Sequence, residues 1–245
     1  MGALGGEVCV YCVKSPATRR EHVIPRAWYT GDLPEGIRTV PGCEECDGRK
    51  ALEENTFIEE FGARLEWHEL PSVRDPNERF LRNLDRPEAR RLKERILFDK
   101  QGTCRFELAE VRSAAGLVLG NAPIWHPGEE VFRRQQSVVT RQVRGLYYVL
   151  YEDRLAATAK ITTVDLNSIK DKSFLGEDPF TMFREGGWNA QDNRDGSYVF
   201  RFKPIHVPEK PYQAMWLLEY FGVKYFISFI VLGTKQEEKH PIESI

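Results

Sequence analysis

Almost no net charge is carried by this chain: 35 lysines and arginines stand against 37 aspartates and glutamates, leaving −2 with histidine neutral. That balance argues against a protein that coats nucleic acid by bulk electrostatics, so any contact with DNA has to come from a local patch. Long apolar runs are missing too. The two richest stretches, 214–221 and 225–232, are interrupted by Glu219 and Lys224 well short of a membrane span and read as core strands. The opening Met1-Gly2-Ala3-Leu4-Gly5-Gly6 has neither the charged nor the apolar region of a signal peptide. Gly6 also stands where a myristoylation site needs Ser or Thr, so the expectation is a cytoplasmic protein with no membrane contact. Internal repeats and low-complexity linkers are absent. With 41% apolar and 29% charged residues over 245 positions, the composition is that of a soluble globular protein with no dominant disordered tract. The length accommodates one large domain or a small module joined to a larger one, and the second is expected.

What the chain does have is clustered cysteine. Four of its five cysteines fall in two Cys-x-x-Cys knuckles, Cys9/Cys12 and Cys43/Cys46. In a reducing compartment such pairs are metal ligands before they are disulfides. Four thiolates satisfy tetrahedral zinc, each knuckle turning two sulfurs toward one ion. The alternative is a set of buried free thiols. Cys104 is the odd one out and reads as a small core or surface thiol. Between the knuckles lies Arg20-Glu21-His22-Val23-Ile24-Pro25-Arg26, an acidic residue directly beside a histidine.

Patterning along the chain predicts a strand at 8–11 with its knuckle, a second over 19–24, and a loop at 31–36 from its Gly and Pro content. After Cys46 a helix is expected, because Leu52, Phe57, Phe61 and Leu65 fall near helical spacing. An arginine-rich segment, 77–98, reads as two short helices punctuated at Asp85-Arg86-Pro87; its basic face could meet phosphate, but interleaved acidic residues favour a solvated, salt-bridged face. Farther on, Phe106, Leu108 and Val111 predict a strand. Val139, Val143, Tyr147 and Tyr151, with Leu146 and Leu150, predict a buried helix face over 131–151. Strands at 160–164, 198–202, 215–221 and 225–231 predict an antiparallel sheet carrying that helix. The fold class is therefore α+β, with a zinc-stapled strand-strand-helix module followed by a larger α+β domain. The boundaries fall at 1–62 for the module, 63–104 for a helical connector and 105–245 for the second domain.

Cys9-Val10-Tyr11-Cys12, then Glu21-His22-Val23-Ile24-Pro25-Arg26, then Cys43-Glu44-Glu45-Cys46-Asp47-Gly48-Arg49-Lys50 resembles the zinc-knuckled branch of the HNH, or ββα-metal, endonuclease family. The resemblance covers about the first quarter of the chain. It implies that Cys9, Cys12, Cys43 and Cys46 hold structural zinc and that His22 is the general base. Glu21 and Asp47 then correspond to the ligands of a catalytic Mg²⁺ or Mn²⁺, and Lys50 and Arg26 to residues near the substrate phosphate. Asp47 stands where the family commonly has asparagine, and the family's middle asparagine has no clear counterpart between Gly36 and Val40. HNH modules occur in restriction and phage-defence systems, often beside an ATPase, so the resemblance implies DNA as substrate and a partner protein such as an ATPase.

The chemistry stands without the name. Phosphodiester hydrolysis needs a nucleophile made at neutral pH and a cation to stabilise charge on the phosphate and leaving oxygen. A histidine near its reference pKa suits the first task, and hard carboxylate oxygens suit the second. Because neighbours on a strand point to opposite sides, Glu21 and His22 predict a bulge or bend in the backbone. Two other readings compete: a non-catalytic zinc-stapled nucleic-acid-binding or adaptor protein, in which Glu21 and His22 are surface residues, and a sensor role for the second domain, which offers no cofactor motif. For residues 105–245 the roles considered are substrate selection, oligomerisation and partner binding.

Overall fold

β1 (Arg19–His22) and β2 (Thr39–Gly42) pair antiparallel in an unbroken register from Arg19↔Gly42 to His22↔Thr39. The expected bulge at Glu21-His22 is therefore absent. The chain bends only after the pair, at Val23 and Ile24, and Pro25 then starts a 3-10 turn over Arg26–Trp28. The structure, a computed structural model, describes residues 6–29, 32–63, 70–84, 86–87, 105–112, 117–126, 129–168, 186–193, 196–206 and 213–231.

Residues 8–11 do not form the expected strand. Only an isolated bridge, Val8↔Pro16, is present, because the first knuckle turns back at once: the Val13 amide donates to the Cys9 carbonyl at 3.0 Å, with Val13 itself left-handed at φ 54°. The helix α1 (Glu44–Ala63) begins before Cys46 rather than after it, and the Asp47 amide donates to the Cys43 carbonyl at 3.1 Å. Glu44, Glu45 and Asp47 occupy its first turn, where the unpaired amides and the helix dipole favour negative charge.

Downstream, α2 (Pro71–Leu84) opens on proline, comfortable in a first turn, and starts earlier than expected. The second of the two short helices predicted there lies outside the described residues, as does Cys104. β3 (Arg105–Arg112) pairs with β4 (Val118–His126), a strand not foreseen from the sequence. Gly120 and Pro123 disguise it as a loop, and both are tolerated because among the described residues this sheet has two strands, each an edge, and a register shift at Val111/Arg112. α3 (Glu129–Tyr151) follows. The last elements are β5 (Lys160–Asp165), β6 (Asn189–Gln191), β7 (Phe200–His206), β8 (Gln213–Tyr220) and β9 (Lys224–Val231). They make the expected antiparallel sheet, in the order β5-β9-β8-β7-β6, with β6 at the edge as a fifth strand not foreseen from the sequence.

By contact the chain groups into two compact units, 1–52 with 136–245, and 53–135. In the first, α3 lies on the sheet: the Tyr220 hydroxyl donates to Gln142, and the Gln136 amide donates to the Thr163 carbonyl at 3.1 Å. The N-terminal hairpin shares that core. Trp28 meets Tyr220 edge-on at 5.9 Å between ring centroids and Phe221 at 6.1 Å, and the Tyr29 hydroxyl donates to Gln191 at 3.2 Å. Gly145 lets α3 approach the end of β1, since a Cβ there would meet Val23 side-chain carbons at 3.0 and 3.1 Å. The second unit, taken by itself, buries Phe57, Ile58 and Val73 and contains the β3–β4 hairpin. Among the described residues no helix is long and apolar enough to cross a membrane.

Candidate functional site

The two knuckles converge. The sulfurs of Cys9, Cys12, Cys43 and Cys46 all lie within 4.8 Å of one another, and Cys12 and Cys43 are 3.9 Å apart. Four sulfurs at ~2.3 Å from a tetrahedral zinc sit about 3.8 Å from each other, so the set fits one such ion. Backbone pairing holds the knuckles in register: the Cys9 amide donates to the Ser15 carbonyl at 2.9 Å, and the Val10 amide donates to Pro41 of β2 at 2.9 Å. Burial pushes the Cys9 and Cys46 thiols up, with neighbouring sulfurs adding to the effect at Cys46. For Cys12 burial also pushes upward, but hydrogen bonds from the Ser15 and Lys14 amides and from the Cys9 and Ser15 side chains together outweigh it and bring the thiol down to about 6. Crowded thiols of this kind ionise together only around a cation, which is the chemistry of a metal ligand set.

Beside the sulfurs sits a second cluster. Glu21 is buried on β1, and its side chain lies across Gly42: a Cβ on Gly42 would fall 2.3 Å from Glu21 Cγ. That missing methyl lets the carboxylate run along β2 toward the start of α1, where Asp47 stands. Arg19, two residues back and on the same face of the strand, bridges the pair, with Nη1 3.0 Å from Asp47 Oδ2 and Nε 3.7 Å from Glu21 Oε1. Burial raises the Glu21 pKa; Lys50 opposes it, and the neighbouring Asp47 carboxyl raises it further.

Lys50 is buried rather than presented to solvent. Its ammonium donates to the His22 carbonyl at 2.5 Å, lies 3.7 Å from Glu21 Oε2 and stands 5.8 Å over the Tyr11 ring of the first knuckle. It pins α1 to the end of β1. His22 is half-buried at that end, and its pKa is lowered by burial first and then by Arg26 and Lys50, which favours the neutral imidazole. Arg26 is exposed on the 3-10 turn. The structure thus brings the Glu21, Asp47 and Lys50 side chains together; without a bulge, His22 follows Glu21 on the opposite face of β1, where the charges it meets are those of Arg26 and Lys50. The sequence reading missed Arg19 and Gly42. The period-two spacing of Arg19 and Glu21 was a usable signal for the first, whereas the second follows only from strand register.

No protein-family model matches the chain, and no curated protein or solved structure matches it.

Proposed function

We propose that the hairpin β1–β2 and the start of α1 form an HNH-type endonuclease centre, stapled by structural zinc at the four cysteines, that hydrolyses phosphodiester bonds of DNA. The observation that carries this is the convergence of Glu21 and Asp47, from separate elements, into one carboxylate pair spanned by Arg19, in the hairpin and helix start that the cysteine cluster holds. Two hard oxygen donors fit Mg²⁺ or Mn²⁺, and the open face above Gly42 gives the Glu21 carboxylate its room. Such an ion, when bound, supplies charge stabilisation at the scissile phosphate and leaving oxygen. His22 takes the proton of the attacking water. Lys50 is a positioning residue, neutralising Glu21 and fixing the backbone of His22, while exposed Arg26 is free to meet a flanking phosphate. A restriction or phage-defence setting with an ATPase partner fits a centre whose chain has little net charge of its own. Substrate selection, oligomerisation or partner binding then falls to residues 105–245.

The ion pairs of Arg19 and Lys50 favour a second reading, in which the carboxylates are structural and the protein is a non-catalytic zinc-stapled nucleic-acid binder. Supercoiled plasmid incubated with Mg²⁺, Mn²⁺ or EDTA separates the two. Nicking or linearisation that requires the divalent ion and is lost in Glu21→Gln is expected; no cleavage under any of these conditions favours the binder.

Two further outcomes test the carboxylate pair. Asp47→Ala is expected to raise the Mg²⁺ concentration needed for half-maximal cleavage while leaving zinc content intact, and Asp47→Asn is expected to do so less, because it keeps one oxygen donor; normal cutting by Asp47→Ala at limiting Mg²⁺ overturns the assignment. Gly42→Ala is expected to push Glu21 aside and lower cleavage by roughly 10- to 100-fold, since misplacing a group by about 1 Å costs up to that much. Zinc analysis and circular dichroism of the same variant are expected to match wild type.

A further inference from the structure

Arg19 occupies the ground that a divalent ion would need. Its guanidinium spans both carboxylates, 3.0 Å from Asp47 Oδ2 and 3.7 Å from Glu21 Oε1, so it balances the repulsion between them as an ion would. Two cations serve this pair, and they differ in freedom. The Lys50 side chain is 5% exposed and committed to the His22 carbonyl, whereas the Arg19 side chain is 46% exposed and has solvent to swing into.

We propose that Arg19 is a built-in competitor of the catalytic divalent ion: it bridges Glu21 and Asp47 in the metal-free protein and must leave for the ion to bind. The proposal rests on the reading of those two residues as a divalent-ion site. The physical basis is linkage. Whatever stabilises the metal-free arrangement lowers the apparent affinity for the ion by the fraction of molecules in which the site is closed. Arg19 and a divalent ion share the same oxygens and carry like charge, so their occupancies exclude each other. Exposed ion pairs are individually weak, and two of them together set the size of the effect at roughly 3- to 10-fold in apparent affinity. One consequence is that the carboxylates are held together, oriented and uncollapsed before the ion arrives. A second is that occupancy follows the divalent-ion concentration over a higher range than a bare pair of carboxylates would allow.

Direct Mn²⁺ binding to the zinc-loaded full chain, read by electron paramagnetic resonance of the free ion, tests this without recourse to cleavage. Arg19→Gln is expected to bind Mn²⁺ about 3- to 10-fold more tightly than wild type. Arg19→Lys is expected to fall between them, since it keeps the charge but loses the fork that reaches both carboxylates. Arg20→Gln is the control, because Arg20 pairs with Glu7 at 3.5 Å and removing it changes net charge equally. Equal tightening in Arg20→Gln reduces the effect to net charge and overturns the proposal. Wild type that binds Mn²⁺ with an affinity unchanged or weakened by Arg19→Gln overturns it too, leaving the carboxylate site standing. Should Mn²⁺ bind neither wild type nor Arg19→Gln while zinc stays in place, the carboxylate site itself fails and the proposal falls with it.

Discussion

His22→Ala is expected to lower DNA cleavage by about 10²- to 10⁴-fold, the usual cost of removing a positioned base. The side chain sits at the last residue of β1, half-buried, with burial and the charges of Arg26 and Lys50 keeping it in the neutral form a base requires. Lys50 grips the backbone carbonyl of residue 22 rather than its ring, so alanine leaves that bond in place. Zinc content, thermal midpoint and Mn²⁺ binding are therefore expected to match wild type while cleavage collapses. Wild-type cleavage by His22→Ala sinks the nuclease reading of this site. An equal collapse accompanied by zinc loss would point instead to unfolding.

The second large effect concerns the cysteines. Cys12→Ser or Cys46→Ser is expected to abolish stoichiometric zinc in freshly purified protein and to lower the thermal midpoint. Zinc binding at such sites is worth about 10–16 kcal/mol in small domains. Loss of even about 4 kcal/mol lowers the midpoint of a chain this size by roughly 8–16 °C. The damage is expected to reach beyond the knuckles, because Trp28 and Tyr29 pack on the C-terminal sheet through Tyr220, Phe221 and Gln191. Near-ultraviolet circular dichroism, which reports those aromatics, is expected to change with the loss of metal. Zinc-free wild-type protein with the same midpoint and spectrum would show that the sulfurs staple nothing.

The sequence by itself determined the elements whose signal is local. Two Cys-x-x-Cys spacings, the acid beside a histidine and the helical spacing of Val139, Val143, Leu146 and Tyr147 each fall within a few residues, and each was legible because a turn or a helix is closed by near neighbours. The β8–β9 hairpin was legible for the same reason, the apolar runs of 215–221 and 225–231 being joined by a glycine turn. Tertiary structure alone decided the rest. Gly120 and Pro123 hid β4, since backbone preference weighs against a strand until a partner supplies the hydrogen bonds. The packing of residues 1–52 with 136–245 could not be read along the chain, because it depends on Trp28 and Gly145 meeting surfaces more than a hundred residues away in sequence. Within the site, sequence named Glu21, Asp47 and Lys50, but only the β1–β2 register lays Glu21 over Gly42, and only burial turns Lys50 from a phosphate contact into the ammonium that fixes β1 to α1. Arg19 closes that list: one strand repeat from Glu21, it becomes a bridge to Asp47 only once the helix has docked.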